Sequence, residues 1–243
     1  MKPERRELPE FVRVERGRRV ALVHPDFIPQ VSNALLDGAG AWSSDLAGRV
    51  DLLQVSTPTG DVLIREYLRG GMVARFLRDA YVLDNRPRRE LEAHSHAWRS
   101  GVPTVMPVGA MWINLGLAYR GAYATLRADA VDLLNYLQSH SDPDPALLAS
   151  CGNAICAMHR AGLYHADLQL KNILVGGREG FIIDFDNARV ATVTPHMAAR
   201  NLARLRRSFV KRGLALNTFD AIAEAYHKSS DQHRDAEVTE KQR

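Results

Sequence analysis

The sequence predicts an α+β fold in which a small antiparallel sheet fills the amino-terminal half and helices dominate the carboxyl-terminal half. Three observations carry that reading. Alternating apolar residues flank the turn Thr57-Pro-Thr-Gly60, Pro145 to Ala161 carries apolar residues at spacings of 3, 4 and 3, and everything beyond Pro195 has helical character. With 243 residues, 46% of them hydrophobic and 25% charged, the chain can bury a sizeable core as one large domain or two small ones. A disordered or fibrous chain is excluded by the same composition.

The elements follow in chain order. Phe11 to Pro29 alternates apolar and charged positions, with Val12, Val14, Val20, Leu22 and Val23 compatible with short antiparallel strands. After the small-residue segment Asp37 to Asp45, Val50 to Ser56 and Asp61 to Tyr67 read as a hairpin joined by a four-residue loop. Pro87 to Arg99 is expected to be a helix opened by its proline and stopped before Gly101-Val-Pro103, with more strands after it. Leu148, Cys151, Ile155 and Met158 give Pro145 to Ala161 one buried face, and Gly162 stops it. Asn172 to Val175 and Phe181 to Ile183, joined by the Gly176 to Gly180 turn, make a second hairpin. The expected organisation is an extension over 1–19, a sheet lobe over 20–126, a helical lobe over 127–226, and an unfolded tail over 227–243. That tail holds Ala236 and Val238 as its only apolar residues.

Cys151 and Cys156 lie in an apolar stretch without metal-ligand spacing and read as buried thiols in a reducing, cytoplasmic compartment. Met1 to Glu10 lacks the apolar core of a secretory signal, and no uncharged 18-residue run suggests a spanning helix. The net charge of +4 favours anionic partners.

The chemistry concentrates in Tyr164-His-Ala-Asp-Leu-Gln-Leu-Lys-Asn-Ile-Leu-Val175 and in Asp184-Phe-Asp186. An aspartate followed five residues later by an asparagine, then a returning strand that ends in a second aspartate, suits phosphoryl transfer. One carboxylate orients and deprotonates an acceptor hydroxyl, while hard oxygen ligands hold Mg²⁺ on the phosphates of ATP. Asp167 fits the first task, and Asn172 and Asp184 fit the second. Singly, such residues are more often turn caps. It is their combination with a Gly-rich turn and Ile-Ile-Asp-Phe that points to a phosphotransferase.

These segments resemble the eukaryotic-like protein kinase superfamily and, within it, the bacterial lipopolysaccharide kinases, above all the 3-deoxy-D-manno-octulosonic acid (Kdo) kinases. The likeness runs from about residue 20 to 212. It rests on Val62 to Met72 with its Tyr-x-Arg-Gly-Gly segment, Arg89-Glu90, Gly101-Val-Pro103, Tyr164 to Val175, Phe181 to Asp186 and Asn201 to Ser208. The resemblance implies a bilobal, protein-kinase-like fold with ATP between the lobes. In such a fold Arg65 would be the phosphate-binding cation where most kinases place lysine, and Glu90 would be its partner; a solvent-facing strand residue is the bland alternative. It further implies that Gly48 lies over the phosphates, although the full Gly-rich pattern is absent, and that His165 holds the catalytic loop structurally. Asp186 stands where protein kinases have glycine and reads equally as a second metal ligand or a loop stabiliser. Lys171 is either a phosphate contact or an exposed lysine that touches nothing.

The implied reaction is phosphorylation by ATP, with Mg²⁺, of the Kdo sugar of a Kdo-lipid A precursor or related anionic glycolipid, at the 4-hydroxyl. Other acceptors stay open: a heptose of the core, an aminoglycoside-like alcohol, and, as a lesser option, a protein, for which the short stretch after Asp184 leaves little room. A catalytically silent pseudokinase is the rival of another class. Arg65, Arg69, Arg75 and Arg78 form one basic cluster, and Arg200, Arg204, Arg206, Arg207, Lys211 and Arg212 another. The second lies on a helix whose other face carries Leu202, Leu205 and Phe209, so it reads either as a packed helix with a solvated back or as a peripheral contact with the cytoplasmic face of the inner membrane. No nucleic-acid motif accompanies the charge, and the oligomeric state is open.

Overall fold

The computed structural model describes residues 8–37, 52–68, 85–114 and 119–241. The chain divides into two compact units, one made of Met1–Ser95 and Met106–Arg127, the other of His96–Val105 and Ala128–Arg243.

The first unit is built on a six-stranded antiparallel sheet. Its strands are β1 (Val12–Arg16), β2 (Arg19–Val23), β3 (Leu52–Thr57), β4 (Gly60–Leu68), β5 (Pro107–Asn114) and β6 (Tyr119–Leu126), in the spatial order β1-β2-β5-β6-β4-β3. Because side chains alternate across a strand, each face has its own core. On one face Ala21, Val23, Val62, Ile64 and Ala124 pack under the helix α1 (Ile28–Asp37), which contributes Val31, Leu35 and Leu36. On the other, Leu22, Ala110 and Tyr123 meet Leu91 of the helix α2 (Arg86–Arg99). That helix comes very close to β6: a side-chain carbon at Gly121 would stand 2.4 Å from Pro87 Cγ.

The second unit is mainly helical. The helix α3 (Leu133–Ser139), capped by Asp132, follows a short strand β7 (Val131–Asp132). Next come α4 (Pro145–Arg160), the strands β8 (Leu163–His165), β9 (Ile173–Gly176), β10 (Glu179–Ile182) and β11 (Ala188–Val190), and the helices α5 (Pro195–Arg212) and α6 (Leu216–Lys241). Leu147, Leu148, Cys151, Ile155 and Met158 form the buried face of α4. Burial also pushes the Cys151 thiol up to about 12, so it stays an inert, protonated core group. At Gly152 the backbones of α4 and α6 touch, since an added Cβ would lie 2.3 Å from the Ile222 carbonyl oxygen. β9 pairs with both β10 and β7, and β8 pairs with β11.

Several details differ from the sequence reading. Val12–Arg16, inside the expected 1–19 extension, is the edge strand of the sheet, paired with β2 along its whole length. The first hairpin has two loop residues, not four, because Thr57 still pairs with Gly60, whose φ of +130° only glycine adopts easily. The expected unfolded tail is helical through Lys241. It extends a helix already anchored by buried Phe219, Ile222 and Tyr226, and its Ala, Glu, Lys and Gln residues favour propagation once the nucleus exists.

Candidate active site

The site residues of the helical unit come together because β8 and the β9–β10 hairpin return to the same place. β8 ends at His165, a loop carries Asp167, and a 3₁₀ turn over Leu170–Asn172 leads into β9. Asn172 Nδ2 donates to the Asp167 carbonyl (2.9 Å), and its own carbonyl accepts from Ile183 N (3.0 Å). Asp167, Asn172 and the strand end that carries Asp184 are thereby joined through two hydrogen bonds. With the amide nitrogen engaged, Asn172 Oδ1 makes no hydrogen bond among the described residues. Asp184 has φ +63° and ψ +62°, a left-handed conformation costly for a residue with a Cβ. This single strained residue turns the chain from β10 into the 3₁₀ turn Phe185–Asn187, in which Asp186 is 5% exposed and lies 3.5 Å from the Asn187 amide nitrogen.

His165 fastens this arrangement. Its Nδ1 accepts from Asp167 N (3.2 Å), which leaves Nε2–H to donate to the Ile183 carbonyl (3.1 Å). Burial lowers its pKa, outweighing its bond to Ile183 and the nearby Asp184 and Asp167 carboxylates. The ring is a neutral brace and not a proton donor.

A second support comes from α5, which lies along the loop. Asn201, fully buried, accepts at Oδ1 from His159 Nε2 (3.0 Å) and His165 N (3.4 Å), and donates from Nδ2 to the His165 carbonyl (2.8 Å). His159 Nδ1 accepts in turn from the Tyr226 hydroxyl (3.0 Å), and burial lowers the pKa of this imidazole too. Further along α5, Arg204 Nη1 reaches Asp167 Oδ1 (3.2 Å) and Ser208 Oγ accepts from Leu170 N (3.4 Å). Gln169 Nε2 holds the other Asp167 oxygen at 3.0 Å. Both carboxylate oxygens of Asp167 therefore have a donor.

In the sheet unit, Arg65 on β4 donates to Glu90 Oε1 on α2. Glu90 is 1% exposed and Arg65 27%, so the guanidinium is anchored by a buried anion with part of its surface open. The Arg65 guanidinium lies 5.7 Å from the centre of the Tyr123 ring, and the Tyr123 hydroxyl bonds His94 Nδ1 (2.8 Å), one turn beyond Glu90. Lys171 is exposed and makes no hydrogen bond or ion pair among the described residues. Gly48 and the Arg69, Arg75 and Arg78 cluster lie outside the described residues. Among the described residues no three His, Cys, Asp or Glu side chains gather as a metal group.

Sequence reasoning gave no role to Gln169, Asn201, Arg204 or Ser208 individually. A signal existed for Asn201 alone, an amide on the face of α5 that also carries the buried Leu202 and Leu205. The apolar face of α5 is packed internally, Leu205 and Phe209 being fully buried and Phe209 meeting Phe219 edge to face (5.8 Å between ring centres). The packed-helix reading of that segment is thus the one observed, with the basic face outward.

Comparison with known proteins shows the family of the chain. A family model described as "Lipopolysaccharide kinase (Kdo/WaaP) family" matches residues 33–226. A 3-deoxy-D-manno-octulosonic acid kinase from Xanthomonas axonopodis pv. citri (strain 306) is 36% identical over 180 residues, 72% of each chain. Another of that name from Stenotrophomonas maltophilia (strain K279a) is 34% identical over 176 residues, 68% of each chain. Among solved structures, WaaP in complex with acyl carrier protein superposes with a TM-score of 0.58 at 18% identity, covering 86% of this chain and 88% of that one, a likeness of fold. With the family model matched across most of its length and curated relatives of this closeness, the chain belongs to the lipopolysaccharide kinase (Kdo/WaaP) family and is a phosphotransferase acting on an alcohol group.

Proposed function

We propose that this chain, with ATP and Mg²⁺, phosphorylates the 4-hydroxyl of the Kdo sugar in a Kdo-lipid A precursor. The observation that carries the phosphotransfer chemistry is the hydrogen-bonded connection of Asp167, Asn172 and the Asp184 strand end. The named Kdo kinases support the choice of sugar.

Each group has a task under this reading. Asp167 orients the sugar hydroxyl and takes its proton late, as the new bond from the sugar oxygen to the γ-phosphorus forms and the bond to the β–γ bridging oxygen breaks, its electron pair leaving with ADP. Asn172 Oδ1 and the Asp184 carboxylate are a neutral and a charged hard oxygen donor. They suit Mg²⁺, which takes one or two protein oxygens and fills its octahedron with phosphate and water. When bound, the cation neutralises phosphate charge. Asp186 adds a second carboxylate two residues on. Arg65, oriented by Glu90, supplies the permanent charge for the nucleotide phosphates. Lys171 and Gly48 remain candidate phosphate contacts. Among the described residues no helix is long and apolar enough to cross a membrane, and the exposed basic face of α5 suits approach to an anionic glycolipid at the cytoplasmic leaflet.

The test is product analysis. Purified protein, ATP and Mg²⁺ are incubated with a defined Kdo-lipid A precursor and, separately, with a heptosyl acceptor. One added phosphoryl group, located by fragmentation on the 4-oxygen of Kdo, is the expected result. Phosphate on heptose alone, or none on either acceptor, overturns the reading.

A further inference from the structure

We propose that Arg204 is the residue that recognises the carboxylate of a sugar-acid acceptor, exchanging its contact with Asp167 for one with the acceptor and so coupling acceptor recognition to release of the catalytic base. This deepens the reading above and rests on it.

The geometry begins with the match between α5 and the catalytic loop, in which Asn201 bonds His165, Arg204 bonds Asp167 and Ser208 bonds Leu170. Loop and helix advance together, so Arg204 is held at the base by contacts on both sides of it in sequence. Arg200, Arg204, Arg207 and Lys211 repeat at spacings of 4, 3 and 4, which places them on one stripe of the helix, and all four are exposed. Of this stripe, only Arg204 has an ion pair among the described residues, and its partner is Asp167.

That pair is incomplete. A single guanidinium nitrogen, Nη1, reaches a single oxygen, Oδ1, at 3.2 Å, long for a charge-assisted bond, whereas a guanidinium matches a carboxylate best through two parallel N–H···O bonds. Arg204 is 45% and Asp167 39% exposed in their side chains, so solvent and ligand reach both. Gln169 already occupies Oδ2. In this state the carboxylate is held by donors on both oxygens.

An acceptor hydroxyl must lie within hydrogen-bond reach of Asp167 to react. Any group on the same sugar ring close to that hydroxyl then faces Arg204. In a Kdo pyranose the 4-hydroxyl is two ring carbons from the carbon bearing the carboxylate, close enough for one face of the sugar to meet base and guanidinium together. The acceptor carboxylate offers Arg204 the two-armed partner that Asp167 does not. When Arg204 turns to it, Asp167 Oδ1 is released to face the hydroxyl, and the hydroxyl proton passes there as the bond to phosphorus forms. Arg200 and Arg207, one turn to either side, add positive potential that favours an anionic acceptor. A neutral sugar alcohol lacks the group that frees the base, so the device selects sugar acids.

The test compares a soluble Kdo glycoside with its carboxyl-reduced analogue, both without phosphorylated lipid, so that sugar carboxylate and lipid phosphate are separated. For the wild-type protein kcat/KM should favour the carboxylate roughly 10- to 100-fold, the range of one charge-assisted contact. Arg204→Ala should raise the acceptor KM and abolish that preference while the KM for ATP stays put, and Arg204→Lys, charged but unforked, should recover part of it. Thermal midpoints of both variants check folding, which an exposed side chain should not disturb. Equal use of both acceptors by the wild type, or a preference that survives in Arg204→Ala, overturns the inference and leaves the kinase reading standing. Phosphorylation of neither acceptor by the wild type overturns both.

Discussion

The two units hold their functional groups by opposite means. In the sheet unit a charge is held by a charge: Arg65 leans on the buried Glu90 carboxylate and is itself partly exposed. In the helical unit the backbone of the catalytic loop is held by neutral groups, and it is the Asp167 side chain that meets a charge, Arg204. His165, Asn201 and Asn172 grip backbone atoms of the loop and the strand beside it, and burial keeps the imidazole uncharged. Under the proposed function the contrast follows from what each place must do. A phosphate contact needs net positive charge, which survives burial only beside a counter-ion. A base must keep its own charge for the acceptor, and a brace that adds none fixes position without competing for it.

The largest effect is expected at Asp167, the group proposed as the base. Asp167→Ala should lower the rate of phosphoryl transfer by about 10²- to 10⁴-fold, while ATP binding is spared and the thermal midpoint moves little, because Asp167 is 39% exposed. Single-turnover transfer together with nucleotide titration checks this. A variant that turns over at the wild-type rate removes Asp167 from the mechanism.

Next in size is the neutral brace. Asn201→Ala leaves the His165 N–H and carbonyl and the His159 ring without a shared partner in a fully buried place. A cost of about 2–4 kcal/mol is expected from stranding such groups, read as a lower urea midpoint, together with a fall in kcat. Asn201→Asp separates the two. It keeps the acceptor for His159 and loses the donor to the His165 carbonyl, so it should be less damaging to stability only if the His159 bond dominates.

The same contrast explains what the sequence disclosed. The linkage of Asp167, Asn172 and the strand end that carries Asp184 was legible because a loop, a strand and a turn suffice to make it, and those are local features with residue signatures. Arg65 with Glu90 was legible only through family likeness, since nothing in the 24 residues between them encodes their meeting. Asn201, Arg204 and Ser208 act from a helix more than thirty residues downstream of the loop. A helical period shows which face is buried but not which chain segment lies against it. The helix α1 was missed for another reason. Val31, Leu35 and Leu36 carry its buried face, but the segment is short and follows strand-like alternation, so periodicity over ten residues does not separate it from its surroundings.

A smaller effect is expected where charge holds charge. Glu90→Gln keeps the shape and removes the anion, leaving Arg65 with a neutral acceptor. The KM for ATP should rise by roughly tenfold, the lower end of what a charge-assisted bond contributes, with kcat less affected and stability lowered by about 1–2 kcal/mol, since Arg65 is partly open to water. If Arg65 serves only as a strand residue, stability should fall without any change in the KM for ATP.

The smallest effect is a pH dependence of stability confined to the neutral brace. His159 and His165 have folded pKa values below the usual imidazole value of about 6.5, burial being the chief cause for both. Above pH 7 each ring is neutral folded or unfolded, and neither adds a slope. As pH falls through about 6.5 the unfolded chain takes up protons that the folded rings refuse, so stability declines, by at most about 1.4 kcal/mol per pH unit per histidine. The decline ends once pH passes below the folded values, where both states are protonated. Urea midpoints at pH 7.5, 6.5 and 5.5 should be level between the first two as far as pH 7 and fall after that. His159→Gln replaces the ring by a group that cannot titrate and should flatten the fall, whatever it does to stability at neutral pH. A slope unchanged in that variant would mean that His159 is charged in the folded protein, with both ring nitrogens donating; the Tyr226 hydroxyl would then have to accept, and the brace would no longer be neutral.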